Sequence, residues 1–150
     1  MTRWVSRSEK ETEACGRALA AELVPDGVVL LVGDLGSGKT VFTRGVAHGL
    51  GISPTDIQSP TFTIIREHEG AIHRLIHVDV YRLESAEAEA LGLEEILAGS
   101  GVKVVEWAER LAFPVSGARR IQFRRGASDD ERVIEEISDL KPSEGMGGDL

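Results

Sequence analysis

The chain contains no asparagine, one cysteine, one tyrosine and few aromatic residues, 5% in all. Each shortage closes a possibility. Without asparagine the guanine-reading pattern N-K-x-D cannot be written. With Cys15 as the only thiol there is neither an intrachain disulfide nor a cysteine-rich zinc site, which suits a reducing compartment. No apolar run approaches the roughly 20 residues that span a bilayer, and "MTRWVSRSEKETEACG" carries no apolar segment of a secretion signal. A cytoplasmic protein is expected. Positive charge is also short: 17 Lys and Arg against 25 Asp and Glu leave a net charge of −8. Such a surface repels a phosphate backbone, so direct contact with nucleic acid is not expected and any link to it should run through a partner.

What remains is a globular composition, 41% hydrophobic and 28% charged over 150 residues. That is enough for one core, expected over 1–140, with the polar, turn-rich residues 141–150 as a disordered tail. Ser8 and Glu11 form a capping-box pattern ahead of a helix whose Cys15, Ala18, Leu19 and Leu23 should face the core. Pro25 and Gly27 end it. "VVLLV", residues 28–32, reads as a strand buried on both faces. "VFTRGVAHGLG" then gives a helix with Phe42, Val46 and Leu50 at helical spacing. "TFTIIREHEG" and "AIHRLIHVDVYRL" are joined around Gly70 by a connection too short for a parallel crossover, so a hairpin is expected. "ESAEAEALGLEEILAG" is a helix weakened at Gly92, "VKVVEW" a strand, and "RRIQFRR" with "ERVIEEI" a second hairpin around "GASDD". With the glycine-rich "GDLGSGKT" between the first buried strand and the helix after it, the fold class that follows is α/β, P-loop NTPase-like, with a mixed parallel and antiparallel central sheet flanked by helices.

Residues 33–40, G-D-L-G-S-G-K-T, satisfy the phosphate-loop spacing G-x-x-x-x-G-K-[ST] between a strand and a helix, the context that supports such a match. Glycines let the backbone of Asp34, Leu35, Gly36, Ser37 and Gly38 curl so that N–H groups point at phosphates. Lys39 supplies a point charge for the β and γ phosphates, and the Thr40 hydroxyl suits a bound Mg²⁺. Hydrolysis also needs an acid at the end of a nearby strand, and two compete: Asp79 after "LIHV" and Glu106 after "VKVV". Spacing does not rank them. "QSPTFTII" has two readings of equal weight, strand-entry chemistry around Pro60, or a switch whose Ser59, Thr61 or Thr63 hydroxyl senses phosphate or metal. Histidines 48, 68, 73 and 77 have no zinc spacing and read as surface or strand positions. Trp4 and Trp107 read as core or interface anchors. A small-molecule kinase is the alternative, but its arginine-bearing lid would have to come from Arg119, Arg120, Arg124 and Arg125, which alternate along a strand as a solvated face would.

Taken in order, "GDLGSGKT" with "FTRG", "SPTFTII", "HVDVYRL" and "VEWAERL" resemble the TsaE (YjeE) family, small bacterial ATPases of tRNA threonylcarbamoyladenosine biosynthesis. The resemblance spans most of the chain. It implies a Mg²⁺-dependent ATPase that binds ATP and ADP rather than guanine nucleotides. Its slow hydrolysis would be stimulated by two partners of the TsaB and TsaD type. The product implied is the threonylcarbamoyl modification of adenosine 37 in tRNAs reading ANN codons, with no direct tRNA binding by the isolated protein. It also implies that Lys39 and Thr40 hold phosphate and Mg²⁺, that Asp79 and Glu106 serve metal and water, and that Thr61 belongs to the switch. Adenine would lie near Ser8 and Thr12, and Arg132 in "DDERVI" near the nucleotide. Ser37 and Val41 depart from the common alanine and threonine, outside the Lys-Thr pair.

Overall fold

The computed structural model describes residues 3–33, 38–58 and 64–137. Within them β1 (Arg3–Ser6) leads into α1 (Glu9–Leu23), followed by β2 (Val28–Gly33) and α2 (Lys39–Gly49). A 3₁₀ turn at Pro54–Asp56 precedes the hairpin of β3 (Ile65–Glu69) and β4 (Arg74–Asp79). Then come α3 (Ser85–Leu91), α4 (Leu93–Ala98), β5 (Val102–Glu106), a 3₁₀ turn at Ala108–Arg110, β6 (Arg119–Arg125) and β7 (Arg132–Ile137).

The strands form one seven-stranded sheet in the order β1-β7-β6-β2-β5-β4-β3. Its centre is parallel: β2 pairs with β6 and β5, and β5 with β4. Its margins are antiparallel, β3 on β4 and β7 on β6, as both short connections require. "VVLLV" is buried throughout because β2 has a strand on each side and an apolar cluster on each face. One cluster joins Leu19 and Leu23 of α1, Phe42 and Val46 of α2 and Val29 and Leu31 of β2. The other joins Val28, Leu30, Ile76 and Val105 to Ala88, Leu93 and Leu97 of α3 and α4. Phe42 is the hub of the first, edge-on to Phe123 at 5.3 Å and tilted against Trp4 at 6.4 Å. No described helix is long and apolar enough to cross a membrane.

Helices α1 and α2 touch backbone to backbone. A Cβ on Gly16 would collide with the Phe42 carbonyl, and one on Gly45 with the Glu13 carbonyl, so only glycine allows this crossing. This contact fixes the axis of α2, and with it the direction in which its N-terminus points.

Four expectations need correction. Ala18 of α1 is exposed and Cys15 only half-buried; Thr12, Gly16 and Ala20 share the core face with Leu19 and Leu23. The capping box is displaced: Ser8 Oγ accepts from Glu11 N at 3.1 Å, but Glu11 Oε1 accepts from Arg7 N at 2.7 Å instead of the cap's own amide. The helix over 84–99 is two helices, broken where Gly92 takes φ 67°. Strand β1 was not foreseen. The expected tail, 141–150, lies outside the described residues, as do Asp34, Leu35, Gly36, Ser37, Ser59, Thr61 and Thr63.

Candidate functional site

β2 stops at Gly33 and α2 starts at Lys39, so the glycine-rich loop opens directly onto a helix N-terminus at the C-terminal edge of the parallel strands. Gly38 sits at the hinge with φ 105°, a conformation that favours glycine, and Phe42 N closes the first turn on Gly38 O at 2.9 Å. The positive end of the helix dipole and the first amides are therefore presented at this edge of the sheet. Lys39 is buried. Its Nζ donates to Gly33 O and lies 3.5 Å from the centre of the Trp107 ring, a cation–π contact. Trp107 adopts φ 61° immediately after β5, which turns the chain at the end of the strand, and its ring continues into Tyr81 at 4.7 Å. Arg110 covers the Tyr81 ring at 4.5 Å.

The two competing acids are register partners, Asp79 on β4 opposite Glu106 on β5, and both are buried. Their partners separate them. Glu106 reaches α2: Thr40 Oγ1 donates to Oε1 at 2.9 Å with Oε2 at 3.2 Å, and Thr43 Oγ1 lies 3.5 Å from Oε2. His77 Nε2 is 2.6 Å from the same Oε2. Asp79 Oδ1 accepts from the amide of Tyr81 at 2.8 Å and so shapes the turn after its own strand. A second corner lies on the other side of Gly38, where a Cβ would meet Thr12 Cγ2 at 3.6 Å and Arg132 Cγ at 4.0 Å. Thr12 is buried with its hydroxyl 2.7 Å from Ser6 Oγ, while Arg132 donates to Asp129 O and Glu131 O. Ser8 caps α1 with its hydroxyl.

The family described as threonylcarbamoyl adenosine biosynthesis protein TsaE matches residues 6–134. The chain belongs to the TsaE family. It is 45% identical over 132 residues to the Bacillus subtilis tRNA threonylcarbamoyladenosine biosynthesis protein TsaE, covering 88% of this chain and 82% of that one. It is 45% identical over 111 residues to the protein of the same description from Treponema pallidum, covering 73% and 81%. The crystal structure of Bacillus subtilis YdiB superposes with a TM-score of 0.72 at 38% identity, over 89% of this chain and 82% of that one. The sheet of this TsaE family member, mixed and flanked by helices, is that of a P-loop NTPase.

The donors around Lys39 are of one chemical kind. Thr40 offers a hydroxyl, and Asp79 and Glu106 offer carboxylates. Among the described residues no group of three or more His, Cys, Asp or Glu side chains is arranged to hold a metal ion. Oxygen donors few in number suit a hard cation that keeps water and phosphate ligands, as Mg²⁺ does, and not zinc. A helix N-terminus, a buried ammonium and that oxygen set fit a nucleotide phosphate chain with its cation.

Several residues escaped the sequence reading. His77 looked like any strand histidine, yet it lies two positions before Asp79 and therefore on the same face of β4, a signal that period-2 alternation carries. Thr43, three residues after Thr40, shares its side of α2. Trp107 anchors the second apolar cluster, as expected, and its ring also lies under Lys39, which the sequence did not show. The arginines of β6 are exposed at Arg124 and Arg125 and half-buried at Arg119 and Arg120, and they carry surface ion pairs: Arg119 bridges Glu22 at 2.7 Å and Glu136 at 2.9 Å, and Arg124 meets Glu135 at 3.3 Å. The Arg119 guanidinium in turn holds the Glu136 carboxyl below the usual carboxylate range. Burial, with Glu11 nearby, pushes the Cys15 thiol up to about 11, so it is no thiolate nucleophile at neutral pH.

Proposed function

We propose that this protein is a Mg²⁺-dependent ATPase that acts, with partners of the TsaB and TsaD type, in threonylcarbamoyl modification of adenosine 37 in tRNAs reading ANN codons. The role of the relatives in tRNA threonylcarbamoyladenosine biosynthesis supports the pathway. A single observation carries the chemistry: the Thr40 hydroxyl of α2 donates to the strand-end carboxylate of Glu106 beside a buried Lys39. With its hydrogen committed to Glu106, Thr40 keeps its oxygen lone pairs for a cation. Bound Mg²⁺ would supply charge neutralisation on the phosphates.

The remaining work falls to the chain. Lys39 offsets charge on the phosphates, and the amides of Asp34, Leu35, Gly36, Ser37 and Gly38 bind them. Asp79 and Glu106, side by side at the ends of β4 and β5, hold the cation's ligand shell and orient water. Thr61 serves as the switch hydroxyl, and Thr12 with Arg132 lines the flank of the nucleotide beyond Gly38, next to Ser8 at the start of α1. Residues 1–140 act as one ATPase domain. The kinase alternative draws no support from β6, where Arg119 and Arg124 pair with Glu22, Glu135 and Glu136.

The test is ATP turnover by wild type, Asp79→Ala and Glu106→Ala, each alone and with the two partner proteins. Slow turnover by wild type alone, acceleration by the partners, and loss of turnover in both variants are expected. Phosphate transfer to a metabolite without partner stimulation would overturn the reading.

A further inference from the structure

We infer that His77 is a positioning residue that fixes the Glu106 carboxylate for hydrolysis; the inference rests on the ATPase reading above. His77 is fully buried on β4, and its Nε2 lies 2.6 Å from Glu106 Oε2. A carboxylate offers only acceptors, so Nε2 carries the hydrogen and donates it. Nδ1 is buried and has no hydrogen-bond partner among the described residues. An orphaned lone pair costs the fold less than an orphaned N–H, so of the two tautomers the geometry selects Nε2–H.

The fold alone gives no reason for an imidazole here. Leu75, on the same face of β4, and Val104, the register partner of His77 on β5, both belong to the apolar core. A leucine at 77 would continue that core and leave no unsatisfied nitrogen. The histidine accepts that penalty and in return holds Oε2 from the interior side. Oε1 is thereby left toward Thr40 and the phosphate site. The carboxylate is then held from two directions, by an imidazole on the strand beside it and by the Thr40 hydroxyl on the helix above it. Its rotamer is set before any ligand arrives, which is what a group meant to orient a cation's shell or a water molecule requires.

The test uses the full chain with its partners. His77→Leu should lower kcat for ATP hydrolysis about 10- to 100-fold, the usual cost of losing such an orienting partner, with KM for ATP unchanged. His77→Gln, whose amide nitrogen can reach the place of Nε2, should recover most of the loss. On a Glu106→Gln background His77→Leu should add nothing. A second readout needs no turnover. In nucleotide-free protein, ¹⁵N imidazole NMR should show the Nε2–H tautomer at His77, and Glu106→Gln should shift that N–H resonance. Wild-type kcat in a folded His77→Leu variant, or an Nδ1–H tautomer, overturns the inference. Should His77→Leu fail to fold, a folded His77→Gln and the NMR signals decide it. Absence of hydrolysis by the wild type with its partners overturns the ATPase reading by itself, and the tautomer with its response to Glu106→Gln still decides where His77 donates.

Discussion

Lys39 and Lys103 are both buried, and both give ammonium hydrogens to backbone carbonyls, at opposite ends of the parallel strands. Lys103 opens toward the N-terminal edge. Its Nζ donates to Asp26 O at 2.8 Å and to Gly99 O, the carbonyls of two turns, one before β2 and one after α4. Asp26 adds its own carboxylate to the amide of Gly101 at 2.8 Å. The arrangement is a clip: every partner is backbone or turn, and nothing there resembles a ligand. Lys39 stands at the C-terminal edge, with an aromatic face beneath it and a hydroxyl–carboxylate pair beside it. Burial of a charge shows only that partners exist. What separates a clip from a site is the kind of partner, and whether a helix N-terminus shares the space.

That contrast can be broken by experiment. The largest effect is expected from Lys39→Ala, which should weaken MgATP binding about 10- to 100-fold, the worth of a hydrogen bond to a charged group or somewhat more. Titration calorimetry checks it, and equal affinity for variant and wild type would remove Lys39 from the phosphate site. Lys103→Met should do the reverse, leaving ATP affinity at the wild-type value while lowering unfolding stability by about 1–3 kcal/mol through two unsatisfied carbonyls. Denaturant melts of both variants give the comparison directly. A smaller effect follows from protonation. Burial holds the Lys103 amine below the ordinary lysine range, with Asp26 opposing. The folded chain then binds fewer protons than the unfolded one just below the ordinary lysine pKa of about 10.4, so stability rises with pH in that window. The stability gap between wild type and Lys103→Met should therefore widen as pH approaches 10.4, and a gap independent of pH would show that the ammonium is not desolvated.

The two lysines also show where sequence stops being legible. Lys39 lay in a spaced motif between an apolar run and a helical pattern, and strand and helix stand where that order put them. Lys103 merely interrupted "VKVVEW", because its partners, at 26 and 99, are set by how two turns come together in space. The same reason hid other features. β1 is four residues long and is a strand only because β7 pairs with it. The pairing of His77 with Glu106 depends on β4 lying beside β5, which no local pattern states. The hairpins were readable because short connections leave no other geometry. Both acids were readable as strand ends, but their division of labour was not, since it rests on which of them faces α2.

The pairing of β1 with β7 also imposes an order in time. Arg3 to Ser6 lie at one end of the described chain and find their ladder only in Arg132 to Ile137 at the other, with Ser6 opposite Arg132. During synthesis the glycine-rich loop, α2 and both acids leave the ribosome well before Arg132. The corner that brings Thr12, Gly38 and Arg132 together is thus the last part to assemble, and a nascent chain halted before residue 132 would carry the phosphate loop without that wall.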